Sequence, residues 1–435
     1  MKVLLIGGGG REHALAWKLR QEQSHVEIVA APGNPGIAEL GRCVPVAAAD
    51  VERLLELARH ERPAFTLVGP EAPLALGIVD RFRAEGLPIF GPTRAAAQIE
   101  TSKAFAKALM LEAGVPTAAA SRHTDPAAAR RAAHALGAPV VIKASGLAAG
   151  KGVIVCETLP DAERAIDYML RDEGFGEAGA EILVEEFMEG EELSLFAVTD
   201  GERFITMRPA QDHKRLLDGD RGPNTGGMGA YVVSPDWDEA WRGVERARTH
   251  VFEPTLAALR DRGTPFTGLL YAGLMLTAAG PKVVEFNCRF GDPETQAVLP
   301  VLDWSPPLGD VLAAVARGER VGSGDGARSV ESAAVTTVLA AAGYPEQART
   351  GDRITLPQIE DEGVLLFHAG TARNARGDLV TAGGRVLAVT AVADTFERAQ
   401  ALSRTYAERT DFDGKQYRTD IGWRELGRRA GAPRD

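Results

Sequence analysis

Hydrophobic and polar positions change their rhythm along this chain. Up to about residue 100, short apolar runs alternate with stretches in which apolar residues recur at helical spacing. Residues 2–6, 26–30, 65–68 and 88–90 read as strands, and 12–23, 51–60 and 78–84 as helices. The strands run into turn-forming segments: Gly7-Gly8-Gly9-Gly10, Pro32-Gly33-Asn34-Pro35-Gly36, Gly69-Pro70-Glu71-Ala72-Pro73 and Gly91-Pro92. Such alternation predicts an open parallel sheet. Ligands of such sheets bind beyond the carboxyl ends of the strands, where these loops lie.

The pattern differs from residue 101 onward. Helices at 102–113, 127–136 and 161–170 and strands at 140–143, 153–156 and 182–185 make a small α+β module. A larger block follows, with strands at 193–199, 204–208, 269–276 and 283–287 around one long helix at 238–262. Gly322-Ser-Gly-Asp-Gly326 reads as a linker. A mixed tail then has strands at 333–341, 364–367 and 386–392 and a helix at 396–409. The expected domains are 1–100, 101–320 and 327–425, an α/β and α+β multidomain chain.

The segment Lys282-Val-Val-Glu285-Phe-Asn287-Cys-Arg289-Phe-Gly-Asp292 changes the picture from fold to chemistry. Strand alternation puts Val283, Glu285, Asn287 and Arg289 on one face and Val284, Phe286, Cys288 and Phe290 on the other. Carboxylate and carboxamide oxygens suit a hard cation. A guanidinium suits a phosphate or carboxylate, which its planar fork binds through two oxygens. A metal site beside an anion clamp is what phosphoryl transfer from ATP requires. Cys288, on the apolar face, reads as a packing residue.

Composition narrows the classes. At 435 residues, two to four domains are expected, and 45% hydrophobic with 25% charged residues is a globular balance. No apolar run reaches a membrane span. A net charge of −11 without a basic tract argues against nucleic acid as a partner. The three cysteines form no CxxC pair, which suits a reducing, cytoplasmic setting.

Three further segments carry candidate chemistry. Lys143-Ala-Ser-Gly146-Leu-Ala-Ala-Gly150-Lys151-Gly152 joins two strands, and its backbone N–H groups are suited to cradle phosphates. It is not a Walker A loop, because the spacing is one residue short and a strand follows. Glu185-Glu186-Phe187-Met188-Glu189-Gly190-Glu191-Glu192 leads a strand into an acidic connector, open to a nucleotide or to solvent. Gln211-Asp212-His213-Lys214-Arg215, with the glycine-dense 222–229, is either a substrate or phosphate contact or a solvated loop. The 7–10 glycines fail the dinucleotide fingerprint, since Glu12 or His13 occupies the third glycine position. A single phosphate on the helix N-terminus fits better. A nicotinamide-dependent dehydrogenase is disfavoured on that ground, and a non-catalytic nucleotide sensor by the full set Lys143, Glu285, Asn287 and Arg289.

Together, Ile6 to His13, Val68 to Pro73, Lys143 to Val153, Gln211 to Arg215, Gly222 to Tyr231 and Glu285 to Thr295 closely resemble the phosphoribosylamine–glycine ligase family of the ATP-grasp superfamily. The resemblance runs to Asp420-Ile-Gly-Trp423. It implies an N-terminal Rossmann-like substrate domain, an ATP-grasp fold with a mobile lid at about 121–188, and a C-terminal mixed domain. It implies ATP and Mg2+ or Mn2+ as cofactors, and glycine and phosphoribosylamine as substrates, joined in the second step of de novo purine synthesis. A cytoplasmic monomer, with transient contact to the preceding pathway enzyme, is expected. Another ATP-grasp ligase of a purine intermediate would share the ATP residues.

The resemblance also assigns roles. Lys103 and Lys143 would contact ATP phosphates, with Gly146, Gly150, Lys151 and Gly152 closing over them. Glu185, Glu186, Phe187 and Met188 would line the adenine pocket, and Glu192 would hold the ribose. Glu285 and Asn287 would bind the metal. Arg289 would stabilise charge on an acyl phosphate. Gly8, Gly9, Gly10 and Glu71 would hold phosphoribosylamine. Asp212, Lys214, Thr225, Gly226, Gly227 and Met228 would face glycine and the amine. The chain departs from the family pattern with four unbroken glycines at 7–10, with Ser145 in place of Asp, and with no carboxylate on the strand preceding Glu285.

Overall fold

The computed structural model describes the chain except residues 147–151, 172–178, 323, 326–330 and 432–435. The first five strands, β1 (Lys2–Gly7), β2 (Glu27–Pro32), β3 (Arg42–Cys43), β4 (Phe65–Val68) and β5 (Ile89–Phe90), form the expected parallel sheet in the order β3-β2-β1-β4-β5. Val3, Leu4, Leu5 and Ile6 are fully buried, so both sheet faces are covered and the strand has no polar side. The loops after β1 and β2 press together: a Cβ on Gly8 would lie 2.4 Å from the Gly33 carbonyl oxygen.

The small module is an antiparallel sheet of β6 (Ala120–His123), β7 (Val140–Ala144), β8 (Val153–Cys156) and β9 (Ile182–Glu186), in the order β6-β9-β7-β8. Helices Pro126–Leu136 and Leu159–Leu170 cover it, and Ala133, Ile142, Ile166 and Val184 build a core of its own. The sequence pattern misses β6. It is an edge strand whose residues Ala-Ser-Arg-His are only half-buried or exposed, and such a strand needs no apolar alternation.

The third unit is built on β10 (Glu191–Thr199), β11 (Phe204–Thr206), β12 (Ala210–Asp212), the hairpin β13 (Arg215–Leu217) and β14 (Arg221–Asn224), β15 (Gly229–Val232), β16 (Gly268–Thr277) and β17 (Gly280–Asn287). After β18 (Gly324–Asp325) come β19 (Ala333–Ala340), β20 (Val364–His368), β21 (Thr371–Arg373), β22 (Leu379–Thr381) and β23 (Arg385–Ala393). One hydrogen-bonded path runs β17-β16-β10-β12-β15-β19-β23-β20, so the C-terminal strands extend the central sheet. Of the expected linker, residues 324–325 pair with β11, while 323 and 326 lie outside the described residues.

Beside the missed β6, the stretch read as a glycine-dense connection contains the strands β12 to β15, and two further features depart from the sequence pattern. The long helix divides into Asp238–Ala247, a π-helical turn Arg248–Phe252, and Glu253–Asp261. Pro254 has no N–H to donate to residue 250 and its ring crowds that carbonyl, so the turn widens and the Glu253 N–H reaches back to Arg248 O. Strand β17 contains a bulge: Glu285 pairs with Gly273 but Val283 with Leu274, leaving Val284 extra. Val283 therefore joins Phe286 and Cys288 in the core, and only Glu285 and Asn287 share the polar face.

Candidate functional site

The two lysines expected on the nucleotide side meet at the junction of the small sheet and β17. Lys143, near the end of β7, sends Nζ to the Val284 carbonyl (3.1 Å), the residue that the bulge frees from the ladder, and to Glu185 Oε2 (2.8 Å). Glu185 is buried, and its other oxygen pairs with Lys107 Nζ at 3.1 Å. Lys107 also donates to Thr117 Oγ1 (2.8 Å) and Ala118 O (3.1 Å). One carboxylate thus bridges two ammonium groups, and burial still pulls the Lys107 pKa below its ordinary value. Lys103 donates to Gly146 O at 3.4 Å, and burial lowers its pKa too. Ser145, at the departure from the family pattern, accepts the Ala104 N–H with its hydroxyl (3.2 Å) near the start of helix Lys103–Glu112.

Glu186 pairs with Lys282 of β17 at 2.9 Å, Phe187 is exposed, and Met188 is half-buried in the connector. Glu192 pairs with Lys214, so two side chains expected to hold ribose and substrate hold each other here. Gly152 is buried, and its carbonyl accepts the Ala144 N–H at 2.8 Å. Gly150 and Lys151 lie outside the described residues.

Glu285 and Asn287 stand side by side in sequence order on the polar face of β17. Burial pushes the Glu285 pKa up, but Lys214, Lys103, Lys143 and Arg289 outweigh it and hold the carboxyl ionised. Asn287 is buried. Opposite Glu285 on β16 stands Gly273, which offers no ligand. Among the described residues no group of three or more His, Cys, Asp or Glu side chains is disposed to hold a metal. Two oxygen donors fit an ion that takes the rest of its shell from phosphates and water, as Mg2+ does. Asp212 is pushed up to about 7, by burial first and by Glu294, Glu192 and Glu285, against Lys214.

Arg289 lies beyond the strand end with Nε 3.4 Å from both Glu71 Oε2 and Glu100 Oε1, and that buried Nε has no hydrogen-bond partner. Burial would lower its pKa; Glu100, Glu71 and Glu294 raise it, so the guanidinium stays charged. Glu100 also accepts the Cys288 N–H at 2.7 Å, fixing the backbone next to Arg289. Cys288 is buried, as its apolar face implied.

The 7–10 loop is held from below. Glu12 Oε2 accepts the Gly9 N–H, and Glu12 Oε1 pairs with Arg11 Nε at 2.6 Å. Arg11 Nη1 donates to Phe290 O at 2.9 Å, tying this loop to the Arg289 segment. Gly10 opens helix Gly10–Glu22. Asn34 Nδ2 donates to Gly8 O (2.9 Å) and to His368 O (2.8 Å). Glu71 stays ionised because Arg289 and Arg11 outweigh its burial.

In the glycine-rich connection, Thr225 Oγ1 donates to Lys214 O (2.8 Å) and accepts the Gly227 N–H (3.0 Å), and the Met228 N–H reaches His213 O (2.8 Å). His213 is not solvated. Its buried ring accepts the Gly422 N–H at Nε2 (2.9 Å), and burial lowers its pKa. Sequence reasoning missed Glu100, Lys107, Tyr344 and Arg385, which come from elements with no motif of their own, so no local signal marks them; Asn34 lay in a strand-end loop that the sequence did mark, but its hold on Gly8 was not legible there.

This architecture is that of an ATP-grasp enzyme. Its fold is shared with the biotin carboxylase domain of Hydrogenobacter thermophilus 2-oxoglutarate carboxylase, solved with MgADP, at a TM-score of 0.71, 16% identity, and coverage of 96% of this chain and 91% of that one. Residues 101–295 match the model of the phosphoribosylglycinamide synthetase ATP-grasp (A) domain, 1–100 the N domain and 334–424 the C domain. A phosphoribosylamine–glycine ligase of Ralstonia nicotianae is 49% identical over 430 residues, covering 98% of this chain and 100% of the relative. The crystal structure of phosphoribosylamine–glycine ligase from Thermotoga maritima superposes with a TM-score of 0.83 at 34% identity, covering 97% of this chain and all of that one. The chain belongs to the phosphoribosylglycinamide synthetase family.

Proposed function

We propose that this ligase joins glycine to 5-phospho-D-ribosylamine through a glycyl phosphate, giving glycinamide ribonucleotide, ADP and phosphate. A glycine carboxylate oxygen attacks the γ-phosphorus of ATP, and the bond to the ADP oxygen breaks. The ribosylamine nitrogen then attacks the acyl carbon, phosphate leaves, and the nitrogen loses a proton. A carboxylate is a poor electrophile, and phosphorylation supplies its leaving group. The observation that carries this reading is the placing of Lys143 Nζ on the Val284 carbonyl, next to Glu285, with Arg289 just past Asn287 on the same segment; their charges, with those of Lys214 and Lys103, hold Glu285 ionised. That is a cationic cradle around a metal-ligating oxygen, suited to a polyphosphate and an acyl phosphate.

Lys103 and Lys143 hold the phosphates, and the segment with Gly146, Gly150, Lys151 and Gly152 covers them. Glu186, Phe187 and Met188 border the adenine, with Glu185 behind them, and Glu192 takes the ribose by exchanging Lys214 for its hydroxyls. Glu285 and Asn287 would hold Mg2+ or Mn2+, which would neutralise charge on the phosphate oxygens. Arg289 stabilises the acyl phosphate. Gly8, Gly9, Gly10 and Glu71 bind phosphoribosylamine, whose phosphate sits at the N-terminus of helix Gly10–Glu22. Asp212, Lys214, Thr225, Gly226, Gly227 and Met228 line the glycine side. Units 1–100, 101–320 and 327–425, with a lid at about 121–188, divide these tasks. Among the described residues no helix is long and apolar enough to cross a membrane. We place the enzyme in the cytoplasm as a monomer in transient contact with the preceding enzyme.

The test is ADP release with each of Mg2+, glycine and freshly generated phosphoribosylamine omitted in turn. Release should need all three. Turnover with a different carboxylate in place of glycine would keep the ATP chemistry and overturn the substrate.

A further inference from the structure

We infer that Arg385, at the start of β23 in the C-terminal region, is a positioning residue for the glycine side of the reaction. It locks the 225–228 loop to the turn that follows Arg289. Its Nη1 donates to the backbone carbonyls of Asp292 (2.7 Å), Gly227 (3.4 Å) and Gly226, and its Nη2 lies 3.3 Å from Asp292 Oδ2. Three carbonyls and a carboxylate from two separate segments therefore converge on one guanidinium. Asp292 is fixed in turn, because its Oδ1 accepts from Gln296 Nε2 at 2.7 Å.

The loop needs such an external clamp. Gly226 and Gly227 have no side chains to pack, and Gly227 sits at φ +107°, a conformation open to glycine because it lacks a Cβ. Thr225 and Met228 secure the ends through Lys214, Gly227 and His213, as described above, but leave the Gly226 carbonyl without a partner from its own segment. The Gly226 N–H is held by Tyr344 Oη (2.9 Å), also from the C-terminal region. Both polar groups of Gly226 thus depend on residues more than a hundred positions away. The two segments also touch, since a Cβ on Gly227 would fall 2.4 Å from Pro293 Cδ. A rigid fork at this junction holds the glycine-facing backbone at a fixed distance from Arg289, three residues before Asp292. Lysine, a single point charge, has the length but not the several fixed N–H directions.

This inference rests on the reading above that the 225–228 loop faces glycine, and the experiment separates the two. Full-length Arg385→Lys, Tyr344→Phe and Thr225→Val would be compared by steady-state kinetics, ATP dissociation constant and Tm. Arg385→Lys should raise KM for glycine about tenfold or more and lower kcat, because misplacement on the ångström scale affects rate steeply. Tyr344→Phe should act in the same direction and less. The ATP dissociation constant and the KM for phosphoribosylamine should stay within twofold in both. If Thr225→Val raises KM for glycine while the Arg385 and Tyr344 variants do not, the positioning role is overturned and the loop reading stands. If none of the three changes it, the loop reading falls and the inference with it. A loss of ATP affinity parallel to that of glycine would make Arg385 merely structural; Tyr344→Phe, which removes one hydroxyl, keeps the question open to measurement if the arginine variant does not fold.

Discussion

Single residues here owe their properties to the charges around them. Arg289 has Glu71 and Glu100 each 3.4 Å from its Nε, so it remains a cation, and that buried Nε has no hydrogen-bond partner. Arg289→Ala is expected to lower kcat by about 10²–10³-fold, the scale for losing one charge-stabilising donor. Unchanged turnover would remove Arg289 from the chemistry. Glu185 belongs to a different class. It was legible as part of an acidic segment after a strand, but its burial between Lys107 and Lys143 was not, because the partner lysines stand 78 and 42 positions earlier in the chain. Glu185→Gln leaves two buried ammonium groups facing a neutral amide. Breaking a buried pair in this way destabilises by about 3–5 kcal/mol, so chemical denaturation should show a loss on that scale. A variant as stable as the parent would mean that water, not Glu185, compensates these lysines.

At the scale of elements, regular periodicity was readable and its interruptions were not. The parallel sheet emerged because β1, β2 and β4 are continuous apolar runs bounded by glycines. The β17 bulge was invisible, since alternation by twos has no mark for an inserted residue; yet it groups Val283 with the core and turns the Val284 carbonyl toward Lys143. Pro254 was a visible warning against an unbroken helix. Loop packing gives the sharper test. Gly8 lies against the Gly33 carbonyl, backbone on backbone, so neither side can yield by a rotamer change. Gly8→Ala should separate the two loops, raising KM for phosphoribosylamine by at least about tenfold. The ATP dissociation constant, set on the far side of β17, should not move. Equal effects on both ligands would show that the substitution disturbs the whole sheet.

The whole molecule is joined across regions that the chain keeps far apart, and one joint is sensitive to acid. His13, at the start of the first helix, accepts the His368 N–H at Nδ1 (2.8 Å), and His368 O accepts from Asn34, which also holds Gly8. Burial, and for His13 the neighbouring His368, drops the two pKa values to about 3 and about 4. Both rings are therefore largely neutral in the folded protein above about pH 5. In the unfolded chain they take up protons below about 6.5. The unfolded state then binds more protons, so stability rises with pH through this window and is lost as pH falls. Each histidine should contribute a slope of up to about 1.4 kcal/mol per pH unit, and nothing above about pH 7. Urea unfolding of the parent and His13→Gln between pH 4.5 and 8 isolates the effect, because the carboxylates titrate alike in both. The variant, weaker at neutral pH, should lose stability less steeply on acidification. Parallel pH profiles would mean that the joint between the first helix and β20 opens before the protein unfolds. Neither histidine carried a catalytic signal in the sequence. What they do appears only when the C-terminal strands are seen to close over the same glycine loop that the N-terminal sheet presents.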